Sequence, residues 1–370
     1  MKTLTDYISD NRKITKSSHD LIDDFGDRYP NARAIYYHVN TKNELYKVFA
    51  FVAYPKTKKP KNGYPAILVL HGGDGMAYIE FAKKYADMGY VVIAPDYNAK
   101  CALSLRQRAV ENPLGGPNGY GSHNDLHNNH PWAYFSVLSS MCAIDFLCAL
   151  PFVDKNNMFS IGLSWGGFLN LLLLSQENRI TASSIIYSSA FTHESEWGKS
   201  LLKDMNESDR QQYISYIEPS NYLNRIDCPV LFTAGADDLA FKMVNRMKTS
   251  NCIKGKSFFA LRKRFPHSNF WGFEQTESIE FFNKIKSKLS VPQPNVKLLN
   301  DKKIRVVSGV KNCKLHLVYT FDDVVKTEIQ KWTKRKINTN EKIQINDKCT
   351  AFFITMQIGE LQWSSNLFVL

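Results

Sequence analysis

The 370-residue chain lacks the features that mark several classes of protein. Its seven cysteines are scattered without a Cys-x-x-Cys pair, which argues against a disulfide framework and favours small buried side chains in a reducing compartment. No apolar run approaches the roughly 18 residues that a membrane span needs. The N-terminus has no apolar stretch of the kind found in a secretory signal. These absences predict a cytoplasmic protein without a membrane span.

The net charge is strongly positive, yet nothing in the sequence marks a nucleic-acid-binding protein. The formal charge is +12, from 47 Lys and Arg residues against 35 Asp and Glu residues. The basic residues are dispersed, and the dense groups at 56–61 and 331–336 fall in expected loops or on polar strand faces. No nucleic-acid module is visible. We interpret the charge as a solvated surface that can attract anionic polymers or substrates, and we predict no nucleic-acid partner.

The sequence also contains no His-Glu-x-x-His metal motif. His123, His127 and His130, together with Asp125, have a spacing that superficially resembles a set of metal ligands. Their segment is rich in Asn and Gly and has no apolar helical face. We therefore predict no metal and no cofactor, and we interpret these residues as polar loop residues around a substrate pocket.

The first 30 or so residues are polar and predict a helical lead-in, and two β-like runs follow at 34–39 and 45–52. Strand-like and helix-like segments then alternate over most of the chain. The alternation predicts an α/β fold with a mostly parallel central sheet covered by helices and with its ligand site at the carboxyl ends of the strands. The expected strands are 66–70, 91–94, 158–161, 182–187, 230–234 and 257–261, and the expected helices are 77–88, 133–149, 168–175, 240–250 and 274–289.

Two stretches depart from this alternation. Residues 99–131 are rich in Gly, Asn and Pro and are expected to form a long loop near the site. After residue 292 the sequence changes to short β-branched and aromatic runs, which predict a small antiparallel, sandwich-like β domain over 293–370. The first 292 residues would then form the larger domain with an N-terminal extension. The expected strands of the small domain are 303–310, 314–321, 326–333, 342–346, 350–358 and 366–370.

The strongest single motif is Gly-Leu-Ser-Trp-Gly at 162–166. It follows the apolar run 158–161 and precedes the apolar run 168–174, so a strand, a sharp turn and a helix are expected in succession. In that context Gly-x-Ser-x-Gly indicates a nucleophilic serine in a strained turn, here Ser164. The glycines are needed because side chains two positions on either side would collide with neighbouring backbone.

A nucleophilic serine needs a base, and the base needs a carboxylate that fixes its tautomer. In the α/β-hydrolase arrangement both follow the serine, with the acid before the histidine. Strand 230–234 runs into Asp237 and Asp238, and strand 257–261 is followed by His267. We predict His267 as the base and prefer Asp238 as the acid, while the other aspartate is expected to cap helix 240–250.

The oxyanion hole requires two backbone N–H donors. The N–H group of Trp165, directly after the nucleophile, would supply one donor. The turn after strand 66–70 is glycine-rich, so Gly73 and Asp74 are the candidates for the second, and His71 is expected to anchor the turn by a hydrogen bond. Four tryptophans could line the pocket or serve only as packing residues: Trp132, Trp165, Trp197 and Trp271.

Five blocks in order resemble the acetyl-xylan-esterase and dienelactone-hydrolase-like α/β-hydrolases, which lie near the prolyl-oligopeptidase-type hydrolases. The blocks are 71–75, 144–154, 162–167, 218–223 and 266–267, and the resemblance covers about residues 60–290. It implies hydrolysis of carboxylic esters, often of acetylated carbohydrate, without a cofactor. It also implies that the acid is the Asp of the Gly-x-x-Asp block at 235–238, which favours Asp238. Esterases of this type that act on plant polymers are usually exported, so the absence of a signal suggests a small intracellular ester.

Three functions remain open at this stage. The preferred function is hydrolysis of acetyl or other short acyl esters, including carbohydrate esters, through an acyl-enzyme on Ser164. The second is a prolyl-oligopeptidase-type peptidase, although such enzymes usually carry a large N-terminal propeller or a lid domain, for which about 60 residues are too few. The third is a non-catalytic binding protein on a hydrolase scaffold, against which the presence of Ser164, Asp238 and His267 together argues.

Overall fold

The computed structural model describes residues 2–13, 17–23, 28–42, 45–73, 75–97, 131–299, 302–327 and 329–370. The strands in these ranges are β1 (His19–Asp23), β2 (Ala32–Asn40), β3 (Leu45–Ala53), β4 (Tyr64–Leu70), β5 (Val91–Pro95), β6 (Val153–Leu163), β7 (Ala182–Ile186), β8 (Val230–Gly235), β9 (Ser257–Arg262), β10 (Asn295–Leu298), β11 (Lys303–Val307), β12 (Lys314–Thr320), β13 (Thr333–Ile337), β14 (Lys342–Gln344), β15 (Ala351–Ile358), β16 (Leu361–Ser364) and β17 (Phe368–Val369). The helices are α1 (Leu4–Asn11), α2 (Ile79–Asp87), α3 (Trp132–Ala149), α4 (Trp165–Leu174), α5 (Glu196–Leu201), α6 (Glu207–Tyr216), α7 (Met243–Cys252), α8 (Asn269–Glu274) and α9 (Glu277–Lys286).

Six adjacent strands of the large sheet are parallel, in the order β5-β4-β6-β7-β8-β9. The strands β3, β2 and β1 extend one edge of this group in antiparallel fashion. Because parallel strands end on the same side, the residues that follow β4, β6, β7, β8 and β9 meet at one edge of the sheet. The predicted α/β architecture with a mostly parallel core is therefore confirmed.

The continuous apolar sequence of the central strands is explained by helices on both faces of the sheet. Alternate residues of β4 enter different hydrophobic clusters: Leu68 lies with residues of α3 and α4, and Val69 lies with residues of α2 and α9. Since neither face of the sheet is left to water, the strand has no polar position. Because helices pack on both faces, the central strands are held in place, and the strand ends that carry the site have fixed positions.

Among the described residues, the 18-residue helix α3 is long and apolar enough to cross a membrane. In this structure 83% of it is buried inside the protein. It packs beside α4 and against β2 and β5, as a core helix does. The sequence of α3 is not an uninterrupted apolar run, because it contains Asp145. For this reason the search for long apolar runs in the sequence did not identify it.

The C-terminal strands are antiparallel and form two groups. The strands β12, β13, β15, β16 and β17 continue the large sheet, because Ser364 of β16 pairs with Phe259 of β9. The strands β10, β11 and β14 form a separate small sheet. Buried residues of this small sheet, such as Ile304, share a hydrophobic cluster with Trp363 of β16. One sheet therefore contains strands from both sides of residues 292–293. The division of the chain into two domains at this point stays a prediction.

Three predictions from the sequence were wrong in detail. The polar lead-in is not helical throughout, because its residues 19–23 form the edge strand β1 beside β2. The expected helix 274–289 is two helices, α8 and α9, and the expected strand 326–333 lies instead at Thr333–Ile337. The strands β10 and β16 were not predicted.

Candidate active site

Ser164 occupies the predicted sharp turn between β6 and α4. Its backbone has φ 51° and ψ −118°, a left-handed conformation that is costly for any residue other than glycine. The surrounding structure holds it there: the Ser164 N–H donates to the carbonyl of Ile186 at 2.7 Å, and the Ser164 carbonyl accepts from Gly167 at 2.9 Å. The turn therefore lifts the Ser164 side chain above the strand end.

The glycines of the motif are required by close backbone contacts, as predicted. A Cβ atom on Gly162 would lie 2.4 Å from the carbonyl oxygen of Gly166. A Cβ atom on Gly166 would lie 2.3 Å from the carbonyl oxygen of His71. Both neighbours are backbone atoms, which cannot move aside without shifting the strand or the turn.

A Gly166→Ala substitution is expected to lower the free energy of unfolding by about 3 kcal/mol, because the methyl group overpacks a backbone contact. Chemical denaturation measures this loss. The control is Gly309→Asn, since Gly309 has φ +65°, which Asn tolerates, and open space around its Cβ position. A Gly166→Ala protein as stable as the wild type would contradict the proposed close contact.

His267 lies within hydrogen-bonding distance of both predicted partners. Its Nε2 is 2.7 Å from the Oγ of Ser164, and its Nδ1 is 3.1 Å from the Oδ1 of Asp238. The imidazole ring is stacked with two aromatic rings, with centroid distances of 4.8 Å to Tyr187 and 6.1 Å to Phe241. The three predicted residues thus form one continuous hydrogen-bonded chain, in which the histidine side chain is 30% exposed and the aspartate side chain is fully buried.

The structure assigns different contacts to the two neighbouring aspartates. The Oδ1 of Asp238 also accepts hydrogen bonds from the N–H groups of Ala240 and Phe241, at 3.0 and 3.1 Å. Asp237 is exposed, and its Oδ1 accepts from the N–H group of Phe265 at 3.2 Å. The expectation that the second aspartate caps the following helix was wrong, because Asp237 instead holds the loop that carries His267.

The predicted oxyanion loop lies beside the nucleophile. A Cβ atom on Gly72 would be 3.6 Å from the Cβ of Ser164. His71 anchors this loop as expected, since its Nδ1 is 2.8 Å from the carbonyl oxygen of Gly72 and its ring stacks on Tyr97 at 3.8 Å. Gly73 lies in the same turn, whereas Asp74 is outside the described residues. Trp165 is the first residue of α4. The backbone N–H groups in the first turn of a helix point out of its N-terminal end.

A continuous chain of aromatic rings connects His267 with the oxyanion loop. Successive ring centroids along this chain are 3.8 to 6.2 Å apart. Its members, which we call the aromatic arc, are His267, Phe241, Trp197, Trp165, Trp132, Tyr97 and His71. Three of the four tryptophans singled out in the sequence belong to it. Trp271 does not, because it is 47% exposed and pairs with the exposed Phe270.

Two residues near this site were not predicted. Arg246 of α7 is buried and has its Nη2 3.4 Å from the Oδ2 of Asp238. The hydroxyl group of Tyr187 is buried, and no described atom lies within hydrogen-bonding distance of it. Burial raises the pKa of Tyr187, so this phenol is neutral. Nothing in the sequence distinguishes either residue from an ordinary surface arginine or core tyrosine.

No group of three or more His, Cys, Asp or Glu side chains that could hold a metal ion occurs among the described residues. The loop histidines at 123, 127 and 130 lie outside the described residues, together with Asp125 and most of the expected loop 99–131. The interpretation of that segment as a polar loop around the pocket therefore stays a prediction.

Comparison with known proteins adds a family and a fold. A model of the Dienelactone hydrolase family matches residues 49–284. Acetyl xylan esterase from Paenibacillus sp. R4 superposes with a TM-score of 0.60 at 18% identity, over 77% of this chain and 92% of that one. Acetyl xylan esterase 1 from Thermoanaerobacterium sp. gives a TM-score of 0.59 at 16% identity, over 76% and 92%. These likenesses confirm the α/β-hydrolase fold.

Curated relatives in sequence include a dipeptidyl-peptidase and an acylamino-acid-releasing enzyme. Dipeptidyl-peptidase 5 of Porphyromonas gingivalis is 22% identical over 63% of this chain and 34% of its own length. Acylamino-acid-releasing enzyme 1 of Oryza sativa is 24% identical over 51% of this chain and 25% of its own length. The chain therefore spans no more than about a third of the length of these two relatives.

Proposed function

Because this chain belongs to the dienelactone hydrolase family, we propose that it is a serine hydrolase that cleaves acetyl or other short acyl esters through an acyl-enzyme on Ser164. The observation that supports this most directly is the hydrogen-bonded chain from Ser164 through His267 to Asp238. Its geometry is that of a nucleophile, a base and an orienting carboxylate. The proposed substrate is a small-molecule or carbohydrate ester, and a cytoplasmic location stays a prediction.

In the proposed reaction the Ser164 Oγ forms a bond to the acyl carbon while its proton passes to the Nε2 of His267. The tetrahedral intermediate breaks its bond to the alcohol oxygen, and the alcohol leaves with the proton from His267. Water then bonds to the acyl carbon and gives one proton to His267. The second tetrahedral intermediate breaks its bond to the Ser164 Oγ, which takes that proton back from His267, and the carboxylic acid leaves.

Backbone N–H groups would stabilise the negative charge that develops on the carbonyl oxygen. We propose Trp165 as one donor and the turn containing Gly73 as the source of the second, with Asp74 as the alternative residue in that turn. The short distance from Gly72 to Ser164 supports this assignment, because it brings the turn beside the reacting carbon. Asp238 keeps the imidazole in the tautomer that accepts the Ser164 proton.

The aromatic arc supports a short acyl group. Trp132, Trp165 and Phe241 are almost fully buried, so their rings cannot swing away to admit a long chain. Trp197 is only half-buried and touches both Trp165 and Phe241, at centroid distances of 6.2 and 5.1 Å. We propose that Trp197 closes the acyl side of the pocket.

A Trp197→Ala substitution is therefore expected to raise the ratio of kcat/KM for the octanoyl ester to that for the acetyl ester by about 10-fold, since removing one large ring admits several methylene groups. Initial rates on p-nitrophenyl esters of both chain lengths measure the ratio. Trp271→Ala is the matched control and should leave the ratio unchanged. An unchanged ratio in Trp197→Ala would exclude Trp197 from the acyl pocket.

A peptidase is the second candidate, because the curated relatives are named dipeptidyl-peptidase and acylamino-acid-releasing enzyme. A panel of substrates separates the two functions: p-nitrophenyl esters from acetyl to octanoyl, acetylated xylose, and aminoacyl and acylaminoacyl p-nitroanilides. The ester proposal predicts the highest kcat/KM on acetyl esters, at least about 100-fold above every anilide with a similar acyl group. Faster cleavage of an anilide than of the acetyl esters would favour the peptidase.

A further inference from the structure

A fully buried arginine lies directly behind the aspartate of the proposed triad. Arg246 is on α7, eight residues after Asp238, and both side chains are at most 2% exposed. Its Nη2 is 3.4 Å from the Oδ2 of Asp238 and donates to the carbonyl oxygen of Phe241 at 2.9 Å. Its Nη1 faces the sulfur of Met243 at 3.2 Å, and no described atom accepts from its buried Nε–H.

Burying a charged guanidinium costs desolvation free energy, and a neighbouring carboxylate is the group that offsets this cost most effectively. Burial lowers the pKa of Arg246, and the negative charge of Asp238 opposes that change. The other guanidinium contacts are a carbonyl oxygen and a thioether, which are weak acceptors by comparison. Asp238 is therefore the group that keeps Arg246 charged in the interior.

The two carboxylate oxygens of Asp238 have separate partners. Oδ1 receives the N–H groups of Ala240 and Phe241 and faces the Nδ1 of His267. Oδ2 faces Arg246. A carboxylate that is held at both oxygens cannot rotate, so the direction of Oδ1 toward the imidazole is fixed from the opposite oxygen.

We propose that Arg246 is a positioning residue of the active site, which holds the carboxylate of Asp238 in the orientation that directs its Oδ1 toward the Nδ1 of His267. It acts through Asp238 and touches no substrate. This inference rests on the proposed serine hydrolase function and adds a residue that the nucleophile, base and acid do not include.

The other charged or titratable groups on the surrounding elements either form ion pairs of their own or lie near the pair of Arg246 and Asp238. Arg262 forms an ion pair with Glu277 and covers the ring of Phe265. Glu196 pairs with Lys199 on α5. The remaining groups are Asp237 and Lys242 between β8 and α7, Tyr187 directly after β7, and His267 on the loop after β9. Asp238 lies within ion-pair distance of Arg246 and of the imidazole of His267.

Without Arg246 the Oδ2 of Asp238 would lose its charged partner, and the carboxylate could turn away from His267. The imidazole would then be held less firmly in the tautomer that accepts the Ser164 proton. This change slows the chemical step and leaves substrate binding unaffected.

The test measures kcat and KM for p-nitrophenyl acetate in Arg246→Met and Arg246→Lys, with thermal unfolding of each. Arg246→Met is expected to lower kcat about 10-fold with KM nearly unchanged. Arg246→Lys keeps the charge and is expected to keep kcat within about threefold of the wild type.

Arg179→Met is the matched control for loss of an ion-paired arginine, since Arg179 binds Glu177 and Asp145 between α4 and β7, away from the site. It should unfold at lower temperature with an unchanged kcat. A folded Arg246→Met enzyme with the wild-type kcat would overturn the proposal. If that variant does not fold, a folded Arg246→Lys enzyme with kcat lowered more than about 10-fold would overturn it as well. Failure of the serine hydrolase proposal itself is distinguishable, because the wild type would then show no ester turnover.

Discussion

A Ser164→Ala variant is expected to hydrolyse p-nitrophenyl acetate at least about 10⁴-fold more slowly than the wild type, as judged by kcat. The Ser164 Oγ is the atom that faces the Nε2 of His267 at 2.7 Å, and no acyl-enzyme can form without it. Circular dichroism and thermal unfolding should show a folded protein, because alanine fits wherever the serine side chain does.

Ser175→Ala is the matched control for this experiment. Ser175 follows the other end of α4, where its Oγ donates to the carbonyl oxygen of Leu172 at 2.6 Å. Its removal should leave kcat within about twofold of the wild type, since only this hydrogen bond and the one it accepts from Gln176 are lost. Substantial turnover by Ser164→Ala would mean that a different group carries the reaction.

The second large effect separates the two neighbouring aspartates. Asp238→Asn is expected to lower kcat about 10⁴-fold near neutral pH, because an amide in this position favours the wrong imidazole tautomer. Asp237→Asn should lower kcat by less than about threefold, since the amide oxygen of Asn can still accept the hydrogen bond from Phe265. Steady-state rates on the same ester measure both.

The two substitutions are chemically identical and adjacent in sequence, but Asp238 is buried against Arg246 whereas Asp237 is exposed. Thermal unfolding of both variants therefore separates a loss of stability from a loss of catalysis. The opposite ranking, with Asp237→Asn the more damaging, would assign the orienting role to Asp237 and would contradict the contact of His267 with Asp238.

The central strands and their helices were predictable because the physical signal is strong there. The β4 and β5 strands are buried at nearly every position, so their sequences are apolar runs with clear ends. The edge strand β1 has no such signal. It contains only Leu21 and Ile22 as apolar residues and is held by backbone pairing with β2. The strand β13 likewise exposes four of its five residues, so its sequence has no apolar pattern that marks where it begins.

The site was predictable as far as it depends on chain order and strand ends. Ser164, Asp238 and His267 each follow a strand of the parallel group, and that topology brings them to one edge. The contacts of Asp237 and Arg246 depend on the turn between β8 and α7, whose geometry no pattern in the sequence specifies. From the sequence alone, the side chains of Asp237 and Arg246 could both have faced solvent. In the fold Asp237 is exposed and Arg246 is buried.

Labelling with a fluorophosphonate, followed by intact mass and peptide mapping, tests the central claim most directly. The reagent forms a stable bond only with a serine that an adjacent base activates. The account predicts one adduct per wild-type chain, located on Ser164, and no adduct on Ser164→Ala. A folded wild-type protein that remains unlabelled, or that carries the adduct on another serine, would contradict it.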